Sequence, residues 1–195
     1  MNAVFKNTFF ALAMASAVSM PAAATTIALQ ADSQWQTFDV DNSYSQSGGL
    51  EWIDAQSFAG YANDGSALDF KFTLTGDAIL TVVDAGFAGD EFQVFDNGAA
   101  IGFTSTAKNS YPNSVGTDFA AALQNSHYSR ATFRLHAGQH DITGLLALSA
   151  LDADHSAINA TVGGLNLIPV PEADALALFL AGSGLLGLFT RRRAN

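Results

Sequence analysis

The chain contains no cysteine. Disulfides, thiolate catalysis, zinc ribbons and iron–sulfur clusters are therefore excluded. Charge is scarce: 13% of residues are Asp, Glu, Lys or Arg, where a soluble domain carries about a quarter. Bases are scarcer still. Lys and Arg total 8 against 18 Asp and Glu in 195 residues, a formal net charge of −10. A phosphate backbone needs a basic surface, so nucleic acid is not an expected partner. Anionic lipid is disfavoured on the same ground, except at the last few residues. Phosphate-binding and dinucleotide glycine loops are absent, as is a Gly-x-Ser-x-Gly elbow. What the chain does have is apolar residues, 49% of it. With so little charge, part of that content belongs to segments outside a soluble core.

Two such segments stand at the ends. Lys6 and the amino terminus precede an apolar run, Phe9 to Val18, and then Pro21-Ala22-Ala23-Ala24. A positive start, a short hydrophobic stretch and small residues at the A-x-A positions make a secretory signal peptide. The expected signal peptide is 1–24, cut between Ala24 and Thr25. At the other end, Val170-Pro171-Glu172 leads into the apolar stretch 175–190 and then Arg191, Arg192 and Arg193. At about 1.5 Å per residue that stretch makes a helix of roughly 24 Å, slightly short of the ~30 Å hydrocarbon layer. Gly182, Gly184 and Gly187 suit a membrane helix, where small residues allow close approach. The arginines place the C-terminal end in the cytoplasm and the body of the chain across the membrane. The two ends independently give the same topology.

A Pro-Glu junction, a short glycine-containing apolar helix and an arginine cluster together resemble the PEP-CTERM sorting signal, over residues 169–193. Ala173 stands where that family has its second proline. Proteins with such tails are exported by Gram-negative bacteria, processed by the membrane enzyme exosortase, and associated with exopolysaccharide and biofilm. The resemblance implies the secretion machinery, exosortase and the membrane as partners. It also implies a final location on the envelope surface or in the extracellular matrix.

Between the ends lies one domain, 25–168. Setting aside Lys6, Glu172, Asp174 and the three terminal arginines leaves 16 acids against 4 bases, a net charge of about −12. Such charge keeps an exported protein soluble and repels acidic polymers. The hydrophobic period is that of strands. Leu68, Phe70, Phe72 and Leu74 alternate with polar residues, as do Ala131, Phe133 and Leu135. Ala78 to Val83 is apolar on both faces and reads as a central strand. Phe92 and Val94 share one face of the strand 91–95. Asp96-Asn97-Gly98 predicts a type I′ hairpin turn to a partner strand 99–104. His140 to Leu148 and Asn159 to Ile168 are further strands, the last with a bulge predicted at Gly163-Gly164. Only Asp118 to Gln124 suggests a helical turn or two. The expected fold is all-β, a single β-sandwich or jelly roll. The strings 80–98, 101–105, 128–133 and 137–140 resemble a group of exported proteins, many with the same tail, whose β-sandwich is poorly characterised. That resemblance brings no catalytic residues.

Candidates for chemistry are few. Asp84, Asp90, Glu91 and Asp96 cluster in sequence around one loop and hairpin, the kind of oxygen donors calcium prefers. The plainer reading is that Asp84 and Asp90 accept from loop amides and Asp96 opens the turn. Asp152 and Asp154 form a similar, weaker pair. His136 and His140 are four apart with Gly138 between them, a hairpin rather than a zinc-binding helix, and are expected to be solvated. Trp35 and Trp52, with Tyr44 and Tyr61 nearby, are expected in the core; exposed, they would stack on sugar rings. No catalytic, cofactor or metal residue is assigned, and no enzymatic activity is expected. The chain reads as an exported structural protein. The alternatives are a carbohydrate-binding module for exopolysaccharide and, behind it, a secreted hydrolase.

Overall fold

The computed structural model describes residues 24–54 and 62–171. Residues 1–23 of the expected signal peptide, and the tail from Glu172 onward with its apolar stretch 175–190 and Arg191, Arg192 and Arg193, lie outside them, as does Tyr61. Among the described residues no helix is long and apolar enough to cross a membrane.

The described chain is nearly all β. Nine strands form two sheets: β1 (Thr25–Ala28), β2 (Gln36–Asp41), β3 (Leu68–Leu74), β4 (Ala78–Asp84), β5 (Glu91–Asp96), β6 (Ala99–Phe103), β7 (Arg130–Leu135), β8 (Gly138–Leu148) and β9 (Ala160–Pro169). One sheet runs β1-β3-β8-β5-β6 and the other β2-β9-β4-β7. All pairings are antiparallel except β1 with β3. This is the arrangement of a β-sandwich, each sheet hiding one face against the other.

The core follows from the alternation. Ala78, Leu80 and Val82 of β4, Phe92 and Val94 of β5, Phe70 of β3, Ile142 of β8 and Leu165 and Leu167 of β9 are fully or almost fully buried between the sheets. β4 is indeed interior, between β9 and β7. Its other face is covered too. The helix α1 (Phe119–Gln124) packs with Val83, Ala85, Ala88 and Tyr128 in a second apolar cluster. Asp118 caps α1, its carboxylate accepting from Ala121 N at 2.9 Å. Asn97 (φ 50°) and Gly98 (φ 78°) both take the left-handed conformation that a type I′ turn requires.

One local expectation is corrected. Gly163 and Gly164 form no bulge; both stay in register with β2 and β4. They are glycines because rings lie over them. A Cβ on Gly163 would come within 2.2 Å of Phe38 Cζ, and one on Gly164 within 2.6 Å of Phe119 Cδ1. Trp52, expected in the core, is buried there in a short segment that ties the sheets together. Its N–H donates to Gly144 O of β8, while Ile53 pairs with Asp39 of β2.

Candidate functional site

The feature that ordinary sandwich packing least explains is the loop from β4 to β5. It begins at Asp84 and ends at Asp90, and both side chains are fully buried. Glycines shape it: Gly86 has φ 62° and Gly89 φ 136°. A side chain at Gly89 would also collide with Asn109 Oδ1 and Ala150. The loop is pinned from outside. The Tyr128 hydroxyl donates to Gly86 O at 3.0 Å and accepts from Val115 N at 3.1 Å. Ala85 N donates to Val162 O of β9.

Within this frame each carboxyl is held by one of its oxygens. Asp84 Oδ2 accepts from the Gly89 and Asp90 amides, both at 3.3 Å. Asp90 Oδ1 accepts from Ala150 N at 2.8 Å. Of the other two oxygens, Asp84 Oδ1 is buried with no hydrogen-bond partner, and Asp90 Oδ2 is buried with the Thr161 hydroxyl of β9 beside the carboxyl. Among the described residues no Lys, Arg or His forms an ion pair with either carboxyl. Burial therefore pushes Asp84 up to about 9, with the charge of Asp90 adding to it and the loop amides opposing. Burial pushes Asp90 to about 6, opposed by the Ala150 amide and the nearby Thr161 hydroxyl. Tyr128, beside the loop, is raised by burial as well.

Thr161 also lines an open groove of about 370 Å³, with Asp39, Asp41, Tyr44, Gly86 and Phe87. Asp41 is committed to a turn, accepting from Ser43 N and Tyr44 N. Tyr44 is exposed on the groove and donates its hydroxyl to Asn63 O.

The four acids grouped in sequence separate in space. Asp84 and Asp90 meet. Glu91, at the start of β5, accepts from Ala107 N at 3.1 Å. Asp96 ends β5, roughly 20 Å of extended chain from Asp90. There it accepts from His140 Nδ1 at 2.8 Å. His140 is not solvated, a correction to the sequence reading: its side chain is 10% exposed and stacks on Phe72. Its Nε2 donates to His136 O at 2.9 Å. His136 is exposed and bound to Asp77, so the two imidazoles are not a joint metal site. Among the described residues no group of three or more His, Asp or Glu side chains is arranged to hold a metal. Asp152 accepts from Asp154 N and Ser156 N, a self-contained turn.

Trp52 is 1% exposed and stacked on Phe38, out of reach of any sugar. Trp35 is half-buried against Phe119. Thr161 and Ala150 are the site residues that sequence reasoning missed. Each comes from a strand or loop at least 60 positions further along the chain, and no local pattern marks them.

No family model matches the chain, and no curated protein does. Among solved structures, the pre-peptidase C-terminal domain of collagenase from Bacillus anthracis is similar over 76% of this chain and 98% of that one, at a TM-score of 0.38 and 8% identity.

Proposed function

We propose that this is an exported, non-enzymatic protein of the cell surface or extracellular matrix. Its β-sandwich is the delivered body, and its two ends are address labels removed on the way. The signal peptide directs export. The C-terminal apolar stretch holds the precursor in the inner membrane with its arginines in the cytoplasm. Exosortase acts at Val170-Pro171-Glu172, where proline keeps the backbone extended and accessible.

The observation that carries this reading is where the first and last strands of the described residues lie. β1 opens at Thr25, the residue that would follow the signal cut, and Thr25 N donates to Ala67 O at 2.8 Å. A new α-amino group there keeps its donor. β9 closes at Pro169, and Val170 N makes a further bond to Asp77 O at 2.8 Å. Both cuts would thus fall at the boundary of the sheets and leave the ladders intact.

Changing Pro171 and Glu172 together to alanine tests it. Intact mass of the protein from envelope and culture supernatant reports both ends at once. The wild-type chain should begin at Thr25 and lack the arginine tail. The double variant should stay in the membrane fraction with its tail attached. Release of the variant at the wild-type mass would refute the sorting role.

A further inference from the structure

We propose that the groove lined by Tyr44 and Phe87 binds a neutral oligosaccharide. The inference goes beyond the export reading and does not depend on it. A sugar ring presents an apolar C–H face and a rim of hydroxyls. A site for it needs an open aromatic face with a hydrogen-bond acceptor fixed at its edge. One turn supplies both. Asp41, the last residue of β2, accepts from Ser43 N at 2.9 Å and Tyr44 N at 3.2 Å through Oδ1. Its carbonyl also accepts from Tyr44 N and Ser45 N. Carboxylate and ring are thus tied to one rigid turn, and Asp41 Oδ2 is left to take a ligand hydroxyl. The ring is itself anchored. Its hydroxyl donates to Asn63 O at 3.0 Å, and a Cβ on Gly65 would stand 3.1 Å from Tyr44 Cδ1. Yet Tyr44 is 47% exposed. A ring already held in place loses little conformational entropy when a ligand covers it.

Phe87 lines the same groove from the β4–β5 loop. That loop is pinned by Gly86 N to Gly116 O and by Val115 N to Gly86 O. Tyr111, 38% exposed, packs beside Phe87 with ring centroids 5.0 Å apart. The aromatic surface therefore continues beyond the groove, as successive rings of an oligomer require. Charge selects among sugars. Asp39 and Asp41 line the groove, and no Lys, Arg or His among the described residues does. The chain as a whole carries −10. A uronic acid polymer is repelled by that field and finds no base to pair with. A basic peptide is the rival occupant. With Asp39 buried and Asp41 Oδ1 taken, the acceptor on offer suits a hydroxyl better than the two-pronged fork of an arginine. The groove of about 370 Å³ lies at the small end of ligand sites, ~300–1,000 Å³, which fits a short stretch of sugar.

Calorimetry on the full-length protein, in a detergent without a sugar headgroup, tests this with cellohexaose, laminarihexaose and mannohexaose. Oligogalacturonate is the acidic control and an Arg-Pro hexapeptide the rival. At least one neutral hexaose should bind at a single site per chain, and oligogalacturonate should bind about tenfold more weakly or not at all. Tyr44→Ala and Phe87→Leu should each weaken binding about tenfold, whereas Tyr44→Phe, which keeps the ring, should stay within about threefold of the wild type. Thermal unfolding checks that each variant is folded. Four results would overturn the proposal: no heat with any of the three neutral hexaoses, equal affinity for oligogalacturonate, binding of the peptide in place of the sugars, or unchanged affinity in either Tyr44→Ala or Phe87→Leu. Should Tyr44→Ala fail to fold, Phe87→Leu decides the matter.

Discussion

Replacing Gly144 by alanine should destabilise the protein by about 3 kcal/mol, at the upper end of the range for overpacked cores. Gly144 is in β8, and the face of the Trp52 indole lies directly over it. A Cβ there would stand 2.1 Å from Trp52 Cε2 and 2.3 Å from Cζ2. The indole has nowhere to go. It stacks on Phe38 at 3.8 Å with an interplanar angle of 16°, and meets Phe70 and Phe92 edge-on. Phe38 in turn leans over Gly163 of β9. Two flat rings thus fill the space between the sheets, each over a glycine of a different sheet. Urea unfolding measures the loss, and Tm should fall by roughly 6–12 °C. Trp52→Ala should cost a similar or larger amount, about 3–5 kcal/mol, by leaving a cavity. The decisive measurement is the double-mutant cycle. In a Trp52→Leu background the Gly144→Ala penalty should drop below about 1 kcal/mol, because the clash is with the ring. An unchanged penalty in that background would show that the methyl group is opposed by something other than the indole.

That arrangement also shows where the sequence was silent. Alternation exposed β3, β5 and β7, where a period of two is visible locally, and an unbroken apolar run exposed β4, which is covered on both faces. Asn97-Gly98 exposed its turn because both residues need positive φ. The run 118–124 suggested a helical turn, and the structure adds that Asp118 caps it. A glycine inside a strand carries no such mark. Gly163-Gly164 suggested a bulge, whereas the cause is the rings of Phe38 and Phe119, far away in sequence. β1 is four residues long and pairs in parallel with β3, 43 positions on from Thr25 to Leu68. Nothing in Thr25-Thr26-Ile27-Ala28 announces that partner. The acids tell the same story. Their closeness in sequence grouped Asp84, Asp90, Glu91 and Asp96, yet an extended strand carries Asp96 to the far end of the sheet. Burial then distinguished Asp84 and Asp90 from the rest. It comes from α1, β9 and the Ala150 segment together, and composition cannot report it.

The buried pair Asp84 and Asp90 should make the protein less stable as pH rises. Asp84 titrates at about 9 when folded, against 3.8 for an ordinary aspartate. Between these values the folded chain holds a proton that the unfolded chain has released. Unfolding then sheds a proton, and stability falls with increasing pH by up to about 1.4 kcal/mol per pH unit. Asp90, raised to about 6, adds a second proton below that pH and steepens the decline there. Glu51, Asp64 and Asp77 are lowered and act in the opposite sense, below their ordinary values of 4.5 and 3.8. The stability maximum should therefore lie in mild acid, with a loss of up to about 3 kcal/mol from pH 6 to 8. Asp84→Asn separates this cause from others. An amide cannot ionise, yet its oxygen can still accept from the Gly89 and Asp90 amides. The variant should be nearly flat from pH 6.5 to 8.5 and more stable than the wild type at pH 8. Urea unfolding with EDTA at each pH measures both curves. A slope that persists in Asp84→Asn would assign the loss to another group, and a flat wild-type curve from pH 6 to 8 would mean that this carboxyl is ionised in the folded protein after all. In that case its countercharge would have to be sought among groups not yet seen to approach it.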